Sequence, residues 1–327
     1  MRCRNDLDCI TSLRSKFCGS FGCNLFDEES RSGMRVGLYD VDSKIPNLAL
    51  MRLSSWHKEQ GDEVELYVPL LHESYDRVYA SMIFDFSDRG YIQEGMILGG
   101  TGHDMKVKLP EGVDEVAPDY GLYGYEHNIG FAMRGCRFKC GFCVVPRKEG
   151  GPQSVSSIRG LMTNPSGSNF LMLLDNDFFG NPNWQDCIDE IRDMDLRVNF
   201  SQGLNIRIIS EKQAHALASV KFRDSSNNKA RVHFAWDQLK DERVIRRGID
   251  RCVKAGIKPW QMQFYVLIGF DSTEEEDLHR VLTIKGLGAD PYVMPFDKKD
   301  PYQRRFARWV NHRAIFNKVE WKNYKRN

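Results

Sequence analysis

The segment Cys136-Arg137-Phe138-Lys139-Cys140-Gly141-Phe142-Cys143 places three thiols at CxxxCxxC spacing, directly after a strand-like apolar run. Thiolates are the ligands that iron–sulfur clusters require. A four-iron cluster needs one ligand per iron, so three clustered thiols hold three corners and leave one iron open to another ligand. A purely electron-carrying ferredoxin run would bring a fourth cysteine. The alternative is a structural zinc site, which takes four closed protein ligands, usually as two spaced pairs. No matching Cys or His pair follows within the usual reach. Cys187 and Cys252 stand singly in helix-like segments, where a lone cysteine behaves as a small buried apolar residue.

The elements that must position this loop are legible as a repeat. Apolar strands recur at 128–133 (NIGFAM), 170–174 (FLMLL), 197–200 (RVNF), 231–236 (RVHFAW), 263–268 (QFYVLI) and 291–296 (PYVMPF). Helix-like runs lie between them, at 184–194, at 241–255 with Asp241 as N-cap, and at 273–286 with acids in its first turn. Six strand–helix units are too few for a closed eight-stranded barrel and suit an open, partial (β/α)6 TIM-like barrel over residues 121–300. In parallel βα barrels chemistry sits at the C-terminal strand ends. Those ends read Asp175-Asn176-Asp177, Ser201-Gln202-Gly203 with Arg207 beyond, and Ile268-Gly269-Phe270. The polar residues also suit turns and helix caps, and the acids after the fifth strand have a sufficient explanation in the helix dipole.

The cysteine loop, with the aromatic Phe142 just before its last cysteine, resembles the signature of the radical S-adenosylmethionine enzymes. The resemblance implies a [4Fe-4S] cluster on Cys136, Cys140 and Cys143, with the amino and carboxylate groups of S-adenosylmethionine on the fourth iron. It implies reductive cleavage to methionine and a 5′-deoxyadenosyl radical, which takes a hydrogen atom from a substrate. A one-electron reductant such as flavodoxin or ferredoxin would be the partner. By the same likeness, Asp175, Asn176 and Asp177 accept hydrogen bonds from the cofactor's ammonium group. Ser201 and Gln202 reach its ribose, Arg207 pairs with its carboxylate, and the backbone at Ile268 and Gly269 meets adenine. Phe138 and Phe142 form part of a dry shell around the cluster. Tips of the DxDxF kind occur in the methylthiotransferase and cobalamin-associated branches, so methyl or methylthio transfer is one implied outcome.

Upstream, residues 35–41 (RVGLYDV), a helical window from Asn47 to Gln60, and 63–69 (EVELYVP) form a βαβ unit. Runs at 78–84 (VYASMIF) and 95–100 (GMILGG) extend it to a small Rossmann-like, doubly wound domain over 34–120. Its layout is similar to the cobalamin-binding domains of one branch, and Gly99-Gly100-Thr101-Gly102-His103 resembles a nucleotide-tail loop. That branch supplies a cobalt-ligating histidine in a DxHxxG loop, where this chain has Tyr39-Asp40-Val41-Asp42-Ser43-Lys44. His103 reads as a loop residue. The expectation is a degenerate domain that binds substrate, with cobalamin as the alternative.

The chain has 46 Lys and Arg against 45 Asp and Glu, so only local charge can argue for a nucleic-acid partner. No apolar stretch is long enough for a membrane span and no apolar signal region opens the chain, which predicts a cytoplasmic protein without a membrane partner. Nine cysteines in a reducing compartment favour metal or redox use. Residues 1–33 contain Cys3, Cys9, Cys18 and Cys23 without apolar periodicity or paired spacing, and read as a disordered extension or a zinc or auxiliary-cluster site. The last segment, 301–327, is basic and aromatic. From Arg304 onward eight Lys and Arg face one acid, Glu320, with Trp309, Phe316, Trp321 and Tyr324 between them. It reads as a terminal helix packed on the barrel or as a grip for nucleic acid. A non-catalytic iron–sulfur or zinc module remains the third reading.

Overall fold

The computed structural model describes residues 33–325, so the segment with Cys3, Cys9, Cys18 and Cys23 lies outside the described residues. The chain begins with β1 (Arg35–Asp40), α1 (Leu48–Glu59), β2 (Glu63–Leu66), β3 (Arg77–Ser81) and β4 (Ile97–Gly99). These strands form one parallel sheet in the order β2-β1-β3-β4. Expected strands end early for local reasons. Pro69 opens a 3-10 turn three residues after β2, because proline fixes φ and cannot donate to a ladder. Beyond β3 the Asp42 carboxylate accepts from the N–H groups of Ile83 (2.8 Å) and Phe84 (2.9 Å), which turns the chain away from the sheet.

The second half supplies β5 (Asn128–Gly130), β6 (Met133–Arg134), α2 (Val145–Lys148), β7 (Gln153–Ser154), α3 (Ile158–Leu161), β8 (Phe170–Leu173), α4 (Trp184–Asp193), β9 (Arg197–Phe200), α5 (Glu211–Ala218) and β10 (Lys221–Phe222). It continues with β11 (Val232–Ala235), α6 (Glu242–Lys254), β12 (Met262–Ile268), α7 (Glu274–Gly286), β13 (Asp290–Pro295), α8 (Pro301–Asn311) and α9 (Arg313–Lys318). Two parallel sheets result, β10-β9-β8-β5 and β11-β12-β13. A single parallel bridge, Leu204 with Phe234, links them, and the Leu204 N–H donates to the His233 carbonyl at 2.8 Å. The protein is therefore mixed α/β with parallel sheets.

Burial follows from the strand sequences. All four side chains of β8 are buried, the pattern of a parallel strand covered on both faces. In β12 burial alternates, with Met262, Phe264, Val266 and Ile268 buried and Gln263, Tyr265 and Leu267 half-buried. The buried set packs with Leu171, Leu173, Val198 and Phe234 against the helices. On the other side, α1 fills the space between the first sheet and β5–β8. Its Leu50 and Leu53 pack with Val36 and Leu38, while Leu48 and Met51 pack with Ile129, Phe170 and Met172.

Helix ends agree with the sequence in one case and depart from it in another. Thr273 caps α7 in a reciprocal box with Glu276, and acids fill the first turn. Asp241 holds the N-cap position of α6 but makes no side-chain cap bond, because its carboxylate pairs with Arg207 at 3.1 Å. The C-terminal segment is helical, with Trp309 and Phe316 buried and Trp321 and Tyr324 packed against the same core. Among the described residues no helix is long and apolar enough to cross a membrane.

Candidate functional site

The cysteine loop does not simply follow a strand. The expected strand 128–133 stops at Gly130. At Ala132 the N–H donates to Asp175 Oδ1 (2.9 Å) and the carbonyl accepts from the Val155 N–H (2.9 Å), so the backbone leaves the parallel sheet. It enters a two-stranded antiparallel ribbon of β6 and β7, and the loop is the tip of that ribbon. The neck is closed by the Cys136 N–H on the Gly150 carbonyl at 3.1 Å. Gly135 has φ +81° and a Cβ there would overlap the Gly151 carbonyl, so the neck requires glycine on both counts.

Glu149, with its side chain 11% exposed, ties this neck together. One carboxylate oxygen accepts from Arg134 Nη2 at 2.8 Å. The other accepts from the Gly135 N–H at 3.0 Å and from Asn176 Nδ2 at 3.2 Å. A second acid braces the loop beyond Cys136. Arg137 donates through Nε (2.7 Å) and Nη2 (2.8 Å) to Asp177, a planar bidentate pair. Gly180 makes room for it, since a Cβ there would overlap Asp177 Oδ2.

Aromatic contacts complete the seat. Phe138 has the guanidinium groups of both Arg137 (5.7 Å) and Arg207 (5.1 Å) over its ring. Phe142 meets Phe270 edge-on at 5.5 Å, and Phe270 leans on Phe296 at 5.0 Å. The loop thus lies over the C-terminal ends of β8, β12 and β13 and the chain just beyond β9. Cys136, Cys140 and Cys143 are free and half-buried. Burial pushes the Cys136 thiol up, opposed by the Phe138 N–H on its sulfur. Burial also raises Cys140, opposed chiefly by the charge of Arg207. Cys187 and Cys252 are buried in the helix-packed core, as expected.

The strand-end residues separate into distinct roles. Asp175 follows Leu171 and Leu173 onto the helix-covered face, as the two-residue period of a strand dictates, and is 5% exposed. Its Oδ1 accepts from Ala132, while Oδ2 is buried without a partner. Burial pushes its pKa up to about 7. Asp177 is taken up by Arg137, and Ser201 donates to the Leu173 carbonyl at 2.8 Å. Ile268 is fully buried, so only its backbone faces the strand ends. Gly269 (φ +76°) abuts the side chain of Gln303, which leaves no space for a Cβ. Asn176 and Arg207 remain near the loop. Gln202 is exposed, 3.4 Å from Ser201 Oγ, and Arg207 also holds Asn205 Oδ1 at 3.2 Å.

Three contributors escaped the sequence reading. Glu149 lies outside the strand ends, Asp237 directly follows the fourth expected strand, whose end went unread, and Arg280 lies within a helix. Burial raises the pKa of Asp237, a half-buried acid whose charge is felt by Cys140. Arg280, fully buried with Asp277, donates to the carbonyls of Trp236 (3.0 Å) and Asp237 (2.7 Å) and so fixes the end of β11. An arginine at a core position of α7 was the available signal.

Ligand chemistry can be tested against these residues. Three half-buried thiols on one closed loop, with aromatic neighbours, suit the thiolate ligation of an iron–sulfur cluster. Cobalamin does not fit the first sheet. The loop after β1 offers no histidine, and Asp42 is engaged by Ile83, Phe84 and the Ser87 hydroxyl. The glycines at 100 and 102 are explained by packing, since a Cβ at either would overlap the backbone of Met82 or Phe84. His103 is an exposed loop residue. No protein-family model matches the chain, and no curated protein matches it either.

Proposed function

We propose that this chain is a radical S-adenosylmethionine enzyme acting on a substrate held where the cysteine loop meets the strand ends. The observation that carries the reading is one closed loop of three free thiols, braced by Glu149 and Asp177 across the C-terminal ends of parallel strands. In this reading β5, β8, β9, β11, β12 and β13 are the six strands of an open barrel, with the Leu204–Phe234 bridge as the seam between its halves.

Cys136, Cys140 and Cys143 would hold the [4Fe-4S] cluster. When bound, the cluster and S-adenosylmethionine supply one-electron cleavage of the sulfonium and a carbon radical for hydrogen abstraction. The chain's own contribution is placement. Arg207, next to Cys140, is the cation best placed for a carboxylate, while Asn176 and Gln202 offer amide oxygens to an ammonium group. Asp237 is a further acceptor at the end of β11. Phe138, Phe142 and Phe270 exclude water from the loop's inner side.

The test is anaerobic reconstitution with iron and sulfide, dithionite reduction, and assay for 5′-deoxyadenosine. Release that disappears in Cys136→Ala, Cys140→Ala and Cys143→Ala is the expected result. A zinc-bound protein without release, or full visible absorption retained in any one variant, would overturn the reading.

A further inference from the structure

The chain's charge is balanced overall, yet from Pro301 to Val319 five Lys and Arg (Arg304, Arg305, Arg308, Arg313, Lys318) occur without one Asp or Glu. The fold sorts this stretch by face. In α8, Phe306, Ala307, Trp309 and Val310 are buried, and Arg304, Arg305 and Arg308 are exposed on the opposite side. Arg313 and Lys318 extend the exposed basic face along α9. Among the described residues, no salt bridge involves Arg304, Arg305, Arg308 or Lys318. The neighbouring acids are engaged elsewhere: Asp290 by Arg231 and Arg313, Asp300 by the Gln303 N–H, and Glu320 by Lys322.

Arginine forks match phosphate and carboxylate oxygens alike, and Arg304 and Arg308 are one turn apart, about 6 Å along the axis; what favours a nucleic-acid strand over an acidic polypeptide is the aromatic pair beside Arg305. Arg305 Cζ lies over the Trp321 ring, 4.4 Å from its centroid, with Tyr324 stacked on that tryptophan. The cation–π contact seats the guanidinium on an aromatic pair beside the arginine row, a setting in which a base can stack. The other aromatics, Trp309 and Phe316, face the core and are not part of this surface. The position also matters. Gln303, on the buried side of the first turn of α8, rests against Gly269 at the end of β12, so the basic face starts beside the proposed reaction site and runs away from it.

We propose that the exposed face of α8 and α9 binds a single strand of nucleic acid, one nucleotide of which is the substrate. The surface stands on the charges alone, and the substrate assignment rests on the function proposed above. The probe is a fluorescein-labelled oligouridylate of about 20 nucleotides, followed by anisotropy as salt is raised. Binding at about 50 mM salt is expected, weakened about tenfold or more in Arg304→Glu/Arg308→Glu, with the log–log salt slope shallower by about 1.4, or about 0.7 for each phosphate no longer neutralised. Arg247→Glu, an exposed charge on α6, should bind as the parent does, and all three proteins should melt alike. Absence of binding at low salt, equal weakening in the α6 variant, or equally tight binding of poly-L-glutamate would each overturn the proposal. Because anisotropy needs no cofactor cleavage, this failure is distinct from failure to release 5′-deoxyadenosine.

Discussion

Asp175→Asn should change how stability depends on pH rather than stability at one pH. The carboxyl of Asp175 is buried, one oxygen accepts from the Ala132 N–H, and the other has no partner. Burial raises its pKa from 3.8 to about 7. A folded-state pKa above the unfolded value means that the folded chain holds the proton more tightly. Its contribution to stability is complete below the unfolded pKa and is lost as pH rises through about 7. Linkage between pH 5 and pH 8 then amounts to roughly two pH units, or about 3 kcal/mol at about 1.4 kcal/mol per unit. Asparagine keeps an acceptor for Ala132 and cannot ionise, so its buried amide adds an offset that is constant with pH. Urea unfolding of both proteins at pH 5, 6, 7 and 8 reads the difference directly. The variant should gain on the parent by about 3 kcal/mol across this range. Parallel pH profiles would refute the reasoning and mean that the carboxyl ionises freely where it sits.

Other consequences follow from the braces and the first sheet. Gly180→Ala should displace Asp177 from Arg137, costing about 2 kcal/mol and lowering iron bound per chain; unchanged iron content and melting would show the brace to be dispensable. Glu149→Gln offers one acceptor oxygen where Arg134, Gly135 and Asn176 now share two. The variant should incorporate iron slowly and show a changed cluster spectrum, whereas a parental spectrum would assign Glu149 to folding alone. Mixing the protein with cobalamin should leave the corrinoid spectrum unshifted and the pigment separable by gel filtration. A shifted, co-eluting spectrum would contradict the packing argument at Gly100 and Gly102.

How much of this was legible depends on the range of the interactions. The run 197–200 matches β9 residue for residue, and β12 and α7 fall within a residue of their expected bounds, because apolar period and caps are local. The ribbon that carries the cysteine loop was not legible. Its strands are two residues long, too short for a period, and are set by Glu149 and Val155 from farther along the chain. Asp175, Asn176 and Asp177 looked equivalent in sequence. Alternation along β8 sends the first to the core, and a distant arginine claims the third. The basic tail was legible as a terminal helix whose aromatics pack on the barrel, since Trp309 and Phe316 are buried and Trp321 and Tyr324 pack against the same core. The three cysteines were legible because their spacing is itself the signal.

Helix α1 has one apolar set on the first sheet and another on β5 and β8. The two halves of the molecule therefore share one core cluster, which neither completes alone. A truncation beginning near residue 121 would bare Ile129, Phe170 and Met172 to water, and one ending there would bare Leu48 and Met51. Exchange of the first sheet as a cassette between proteins would fail unless the helix and its receiving strands travelled together. Close-packed interiors transmit displacement. A load on the first sheet that tilts α1 presses on Phe170 and Met172 in β8, the strand that leads to Asn176 and, through Glu149, to the neck of the cysteine loop.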